Sequence, residues 1–424
     1  MLVHKRLLLA AVTSLALTLA SLPTTGGTGL ARETVSLIGP FSMWGETLQE
    51  ALARFSERHG VQAELIDVAQ GGWPGVRERV ATLTAAGVAP DLLYGDNWTL
   101  DYYALNGLSQ PIDALAQRDL DMSVYPAGVI EAAYVHHGRL WALPTALSVL
   151  NLYYNVDAVE SRGLADPPAD WAADGFTWDD FVEMAVKLTQ DANGDGTPDR
   201  FGTSNWGWAG GISMIGLWGL HMMDRDGTEW YGDDAGVVEV LDRFATLWTE
   251  HNVVGGNFRA GTAAMVTDAS GALNANFAID AFRWNAAALP KGSQRASETG
   301  FHGIGLSQGT RNPELAWKLL KYLAYEPEGS VLFALAENRV PVLRDALAEV
   351  TERWRGRMPE SGIRAVIGAT AYVYDTHFSR HPRGPAELVP LIFQAGERIT
   401  SGAVSARQAM DELAPLARAI LADR

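Results

Sequence analysis

The sequence predicts an α/β protein built as two lobes. Three observations lead there. The chain has 424 residues, more than one compact core comfortably serves. From residue 34 onward short β-rich runs alternate with helical amphipathic stretches. A long apolar run, "RLWALPTALSVLNLYYNVDAV" at 139–159, reads as a strand buried on both faces or a crossing between two sheets, and it marks the first lobe boundary. A composition of 47% hydrophobic and 20% charged residues belongs to a globular chain, not a disordered one.

The first twenty residues carry His4, Lys5 and Arg6 ahead of an apolar stretch from Leu7 to Ala20. That is the pattern of a secretory leader, too short and too rich in Ala and Thr to span a bilayer. Gly29 and Ala31 stand at −3 and −1 of a cut before Arg32, so residues 1–31 are expected to be removed; a cut after Ala20 is the alternative. The chain contains no cysteine. A disulfide framework, a thiolate metal site, a cysteine nucleophile and a lipid-anchored N-terminal cysteine are all excluded. The expected product is therefore periplasmic or secreted, soluble and not lipid-anchored.

"TVSLIG" (34–39) is the first strand, and Leu48, Leu52 and Phe55 give the helix after it an apolar face. "VQAELIDV" (61–68) is the second strand. Val76, Val80 and Leu83 mark a second helix, which Gly87 ends as a C′ residue. "DLLYG" (91–95) is the third. This β-α-β-α-β order implies parallel strands with right-handed crossovers. Further on, "FTWDDFVEMAVKLT" opens with Thr177 and Asp180 at capping-box spacing. "RNPELAWKLLKYLAYEP" has Asn312 at the N-cap and Pro313 at N1. "SARQAMDELAPLARAIL" starts with Ser405 and Gln408 at the same box spacing, and Pro415 inside it predicts a kink or break.

Ligands of open α/β sheets bind beyond the carboxyl ends of the strands. All three strand ends carry a tryptophan: Trp44, Trp73 and Trp98. Carboxylates and an amide lie beside them, namely Glu46, Asp96, Asn97 and Asp101. Indole rings stack on the C–H face of a sugar, and acids and amides take its hydroxyls. Glu46 has a second explanation, since an acid in a first helical turn complements the helix dipole. "NWGWAGG" adds Trp206 and Trp208, whose rings are expected to face opposite ways, one in a site and one in packing. "FRWNAAALPKG" adds Arg283, Trp284 and Asn285, and "AYVYDTHF" adds Tyr372, Tyr374 and Asp375.

"DANGDGTPDRFG" (191–202) places Asp191, Asn193, Asp195, Thr197 and Asp199 at positions 1, 3, 5, 7 and 9 of a calcium loop, with Gly196 at the turn. The acid that completes such a loop is missing, because position 12 is Gly202. Structural calcium and a plain polar turn both remain open; no other cofactor is expected.

The net charge of −17 excludes nucleic-acid binding, which needs a basic face, and disfavours a polyanionic ligand. There is no nucleophile elbow, no HExxH and no phosphate-binding glycine loop. The expectation is a binding protein rather than an enzyme. The abundance of carboxylates leaves a glycoside hydrolase as the rival.

The order of "FTWDDFVEMAVKLT", "DANGDGTPDRFG", "GTAAM" (261–265), "ALPKG" and "GIGLSQGTRNPELAWKLLKYLAYEPEG" resembles the extracellular solute-binding proteins of ABC transporters, family 1, the sugar-binding group that includes maltose-binding protein. The resemblance covers nearly the whole chain beyond the leader. It implies a two-lobed periplasmic-binding-protein fold, type II-like, with a multi-segment hinge. Lobe one would be 32–144 and 292–345; lobe two would be 145–291 and 346–424. It implies a monomer that captures a neutral carbohydrate between the lobes and delivers it to the transmembrane subunits of an ABC permease. Where the family often has Gly-Trp after "GTAAM", this chain has "VTDASGALNANF", so the second-lobe stacking ring is expected from Trp206, Trp208 or Trp284. The same fold could take a polyamine, polyol or polyol phosphate. A cation would suit Asp96, Asp101 or Asp268, and for a phosphate the candidate is Arg283.

Overall fold

The computed structural model describes residues 32–423 except Met43 and His137. The expected leader, 1–31, lies outside the described residues. The first lobe opens with β1 (Thr34–Gly39), α1 (Gly45–His59), β2 (Gln62–Asp67), α2 (Gly72–Ala85), β3 (Leu92–Asp96) and α3 (Asn97–Leu105). The β1 strand pairs in parallel with both β2 and β3, which is the arrangement that crossover connections impose. Leu48, Ala51, Leu52 and Phe55 form the buried stripe of α1.

The apolar run becomes β4 (Ala142–Asn155), a 14-residue strand in which every position except Ser148 is buried. It serves two sheets. Residues 142–149 pair antiparallel with β8 (Ser297–Ser307), which itself lies antiparallel to β3. Residues 150–155 pair antiparallel with β6 (Ala263–Ala269) and, on the other edge, with β7 (Trp284–Ala287). The second lobe adds β5 (Phe201–Thr203), parallel to β6. Strand order is β2-β1-β3-β8-β4-β6-β5. The register between β4 and β8 slips at His302–Gly303, which face Ala146 and Pro144; Thr145 is the extra residue. A bulge of this kind bends the strand and re-aims side chains beside it. Two short strands extend the sheets: β9 (Val340–Pro341) pairs with β4, and β10 (Val373–Tyr374) pairs with β8.

Helices cover both lobes. The α4 helix (Trp178–Leu188) forms the reciprocal capping box expected of Thr177 and Asp180, and it buries Trp178, Phe181, Ala185 and Leu188. The α5 helix (Ala235–Thr249) packs beside it, with Phe244 against Trp178. The α6 helix (Pro313–Ala324) is capped by Asn312, whose side chain accepts from the Leu315 N–H. The α7 helix (Pro327–Glu337) lies against α1. The α8 helix (Glu360–Gly368) covers β7, α9 (Val389–Thr400) borders the cleft, and α10 (Ala406–Ala422) ends the chain.

Two helix-terminus expectations differ from what is observed. Ser405 Oγ accepts from the Gln408 N–H, but Gln408 turns outward to Glu412, so only half the box forms. The α10 helix runs through Pro415 without a break. Its buried stripe, with Leu413, Ala414, Ala417 and Leu421, holds it against the lobe, and tertiary burial outweighs the one backbone hydrogen bond that proline removes. Pro415 is exposed, so Pro415→Ala restores that bond without altering the core. The variant is expected to gain on the order of 1–3 kcal/mol in denaturant unfolding. An unchanged midpoint would mean that the helix has already relaxed around the proline.

Candidate functional site

A cavity of about 660 Å³ opens where the two sheets meet. From the first lobe it is lined by Trp73 and Arg77 of α2 and by Asp96, Asn97 and Trp98 at the turn from β3 into α3. Ser148 and His302 form its floor, from β4 and β8. The second lobe contributes Trp208 and, from α9, Val389, Pro390 and Phe393. Trp98 and Trp208 meet edge to face across the cleft, 5.8 Å between centroids at 89°. An aromatic rim over a polar floor is an arrangement that holds a flat, hydroxyl-bearing molecule by stacking and hydrogen bonds.

Local chemistry explains how these rings are aimed. Asp96 caps α3, its Oδ1 accepting from the Thr99 N–H at 2.8 Å, and this fixes the exit angle that presents Trp98. In the loop 205–211 the backbone N–H of Gly207 donates to Thr267 Oγ1 at 2.7 Å, and that of Trp208 to Ser213 Oγ at 2.9 Å. Gly211 has φ +96, and a Cβ there would lie 2.8 Å from both Phe244 and Trp206. The bend sends Trp206 inward and Trp208 outward. Trp206 is 0% exposed among Trp178, Phe181 and Phe244, whereas Trp208 is 36% exposed at the cleft.

Several residues expected in the site lie elsewhere. Trp44 packs edge-on against Phe41, Tyr94 and Phe333 and does not line the cavity. Glu46 is exposed in the first turn of α1, where the helix dipole accounts for it. Trp206 is core. Trp284 is buried on β7 against Tyr153 and Phe277. Asn285 is buried and bonds Tyr154 Oη at 3.3 Å and Ser361 Oγ at 3.0 Å. Tyr374 donates to the Leu220 carbonyl at 3.0 Å, and its ring lies where a Cβ on Gly216 would come within 2.6 Å. For the buried side chains among these, a neighbouring strand, helix or loop supplies the packing that removes them from the cleft. Arg283 is exposed and paired with Asp157 and Glu160. Asp268 pairs with Arg259 at 2.9 Å.

The oxygens of the 191–199 loop turn onto its own backbone. Asp191 accepts from the N–H groups of Gly194 and Gly196, Asn193 from Asp195, Asp195 from Thr197 and Asp199 from Ala192, all at 2.7–2.8 Å. Among the described residues no group of three or more His, Asp or Glu side chains is placed to hold a metal ion. These bonds make the segment a self-capped polar turn.

Sequence reasoning missed Arg77, Arg339, Glu298 and His302, all of which line the cleft. Glu298 is 5% exposed and its Oε2 has no hydrogen-bond partner. Burial, with Asp375 and Asp96 nearby, holds its carboxyl well above the usual range. Burial likewise raises Asp96. Burial and then Arg339 push His302 well below the usual histidine value, so the ring is neutral. The only local hint was that "FHGIGLS" is a strand with polar His302 in an otherwise apolar and glycine-rich run.

Beneath the rim a buried polar seam joins the lobes. Asp101 of α3 takes a hydrogen bond from Ser379, with Arg380 Nε 3.9 Å away. Arg380 Nη2 bonds Asp375 at 2.8 Å, and Asn97 Nδ2 reaches Asp375 at 3.3 Å.

The chain matches the family model for bacterial extracellular solute-binding proteins over residues 43–328. It is 24% identical over 306 residues to a Brucella abortus protein described as a binding protein, covering 64% of this chain and 67% of that one. Among solved structures it resembles an ABC substrate-binding protein from Listeria monocytogenes in complex with cycloalternan, with a TM-score of 0.76, 19% identity and coverage of 93% of this chain and 100% of that one. It also resembles UgpB from Mycobacterium tuberculosis in complex with glycerophosphocholine, with a TM-score of 0.76, 20% identity and coverage of 92% and 98%.

Two outcomes test this geometry. Trp206→Ala should lower stability by about 3–5 kcal/mol in denaturant unfolding. Trp208→Ala should lower it far less, and comparable losses would contradict the inward and outward assignment. A native state that keeps the Glu298 proton loses stability as pH rises above the ordinary glutamate value of about 4.3. Glu298→Gln is therefore expected to melt above the parent at pH 7.5, with the difference closing near pH 4; equal melting temperatures throughout would contradict a buried acid there.

Proposed function

The chain belongs to the bacterial extracellular solute-binding protein family, and we propose that it captures a neutral carbohydrate between its two lobes and hands it to the transmembrane subunits of an ABC importer. The observation that carries this reading is the pair of facing aromatic walls, Trp73 and Trp98 against Trp208 and Phe393, over a floor of Ser148, His302 and Asn97. Such a cleft grips the apolar faces of a sugar ring while its hydroxyls find polar partners. A solute that touches both walls only when they are close favours the closed form by its differential contacts, which is how such a protein signals occupancy. No described helix is long and apolar enough to cross a membrane, which accords with an exported carrier released by its leader.

One observation favours a second reading. Arg77 and Arg339 line the same cleft; Arg77 donates to Thr99 Oγ1 at 3.3 Å and lies 5.9 Å over the Tyr102 ring. A polyol phosphate would use both guanidiniums. UgpB, one of the similar structures, holds glycerophosphocholine. The same two cations weigh against a polyamine. The family match and the similar structures are binding proteins, and they lend a hydrolase reading no support.

A thermal-shift and calorimetric panel of mono- to trisaccharides, polyols and glycerophosphodiesters tests both readings. Sugar binding is expected to weaken by on the order of 1 kcal/mol in each of Trp98→Ala and Trp208→Ala. If neither folded variant loses affinity for a sugar that the parent binds, the rim is not the site. Binding of glycerophosphodiesters alone, abolished in Arg77→Ala, would establish the second reading instead.

A further inference from the structure

The cleft floor contains a buried hydrogen-bonded chain that no local motif announces. His302 Nδ1 lies 3.0 Å from Tyr94 Oη, and Tyr94 Oη donates to Glu337 Oε1 at 2.7 Å. Arg339 Nη1 stands 3.7 Å from the same carboxylate oxygen. The residues come from three elements: Tyr94 from β3, His302 from the bulge in β8, and Glu337 from the end of α7. Tyr94 is fully buried, and His302 and Glu337 are each 4% exposed. Trp44 packs edge-on to Tyr94 at 5.0 Å, and Trp73 lies 5.7 Å from the same ring, so both shield the chain from water.

A phenol carries a single proton, so such a chain has one direction at a time. With Glu337 an acceptor beside Arg339, the Tyr94 proton goes to Glu337. The Tyr94 oxygen must then accept from His302 Nδ1–H. That leaves His302 Nε2 as a bare lone pair. Nε2 takes no hydrogen bond from the described residues, and His302 lines the cavity. Gly300, also at the cavity, keeps the approach open: a Cβ there would lie 3.5 Å from Nε2. A ring fixed in this tautomer accepts a hydrogen bond from a ligand and cannot donate one.

We propose that His302 Nε2 is a specificity-determining acceptor that reads a hydroxyl group of the solute, and that Tyr94 and Glu337 are positioning residues that hold it in that tautomer. The assignment rests on the cleft being the solute site, and it narrows the ligand there to one that presents a donor at the floor. A solute offering only an ether or carbonyl oxygen at that point faces lone pair against lone pair. Trp44, which faces Tyr94 rather than the cavity, then acts on binding through the chain and not by stacking.

The tautomer can be read without any ligand. Two-bond 1H–15N correlation spectra of 15N-histidine-labelled protein at pH 7.5 should show His302 with a protonated Nδ1 and a pyridine-like Nε2, the opposite of the tautomer free imidazoles favour. His302→Gln identifies the signal. Tyr94→Phe and Glu337→Leu, which remove the acceptors in the chain, should each move the proton to Nε2. A parent protein with Nε2 protonated overturns the proposal, and so does a folded Glu337→Leu variant with an unchanged tautomer. The parent spectrum alone decides if a variant does not fold. For the ligand arm, the probe is the panel sugar with the largest thermal shift. Its addition should displace the Nε2 resonance, and Tyr94→Phe should weaken its binding about tenfold; a saturated protein with Nε2 unmoved overturns the reading role. The expected tautomer in a protein that binds no panel sugar would sink the carbohydrate reading and leave the chain standing.

Discussion

The molecule depends on one strand that belongs to two sheets. β4 is 14 residues long and buried on both faces, so it can sit at the centre of either sheet, and it does both in turn. Pairing changes between Val149 and Leu150, from β8 to β6. Because the strand is continuous, each lobe constrains the origin of the other, and the space between them opens over its midpoint. Ser148, the only residue of β4 that is not buried, lies at the floor of the cavity. The bulge at Thr145 and the aim of His302 follow from the same pairing, since Pro144 has no N–H with which to keep the ladder regular.

The seam beneath the cleft is polar where an apolar one would pack more simply. Burial works against the charge of Arg380, and Asp101 and Asp375 more than offset it. A buried ion cluster is weak evidence for stability, because desolvation cancels much of the attraction. Its physical effect is on geometry: Asn97, Asp375, Arg380 and Asp101 satisfy one another only in one mutual placement of α3 and the 375–380 segment. That placement sets Trp98 opposite Trp208. The charged residues do not face the ligand rings; they position the elements that carry them.

Much of this was legible locally. The β-α-β-α-β opening, the caps at Thr177 and Asn312, and the crossing at 139–159 all arise from periodicity and short-range hydrogen bonding, which a single stretch of chain contains. The strand-end rule brought Trp73 and Trp98 to the cleft because both follow parallel strands of one sheet. It misled for Trp44, since Phe333 on α7 and Tyr94 on β3 close over that ring. Trp284 and Asn285 looked like site residues in a polar-aromatic triplet, but β7 is covered by α8, nearly eighty residues later in the chain.

By itself, the amino-acid order determined the class of fold, the number of lobes and the strand ends that border the cleft, since these follow from alternation, amphipathic period and the handedness of crossovers. Tertiary structure alone decided which rings meet the cleft and what lies under them. Trp206 and Trp208 are two residues apart, and their fates diverge because Phe244 on α5 takes one and leaves the other. His302 and Glu298 reach the floor because β8 inserts between β3 and β4 some two hundred residues after β3, and Arg339 reaches it from the segment just before β9, which pairs with β4. Side-chain direction and proton placement depend on partners that distant, and no local pattern encodes them.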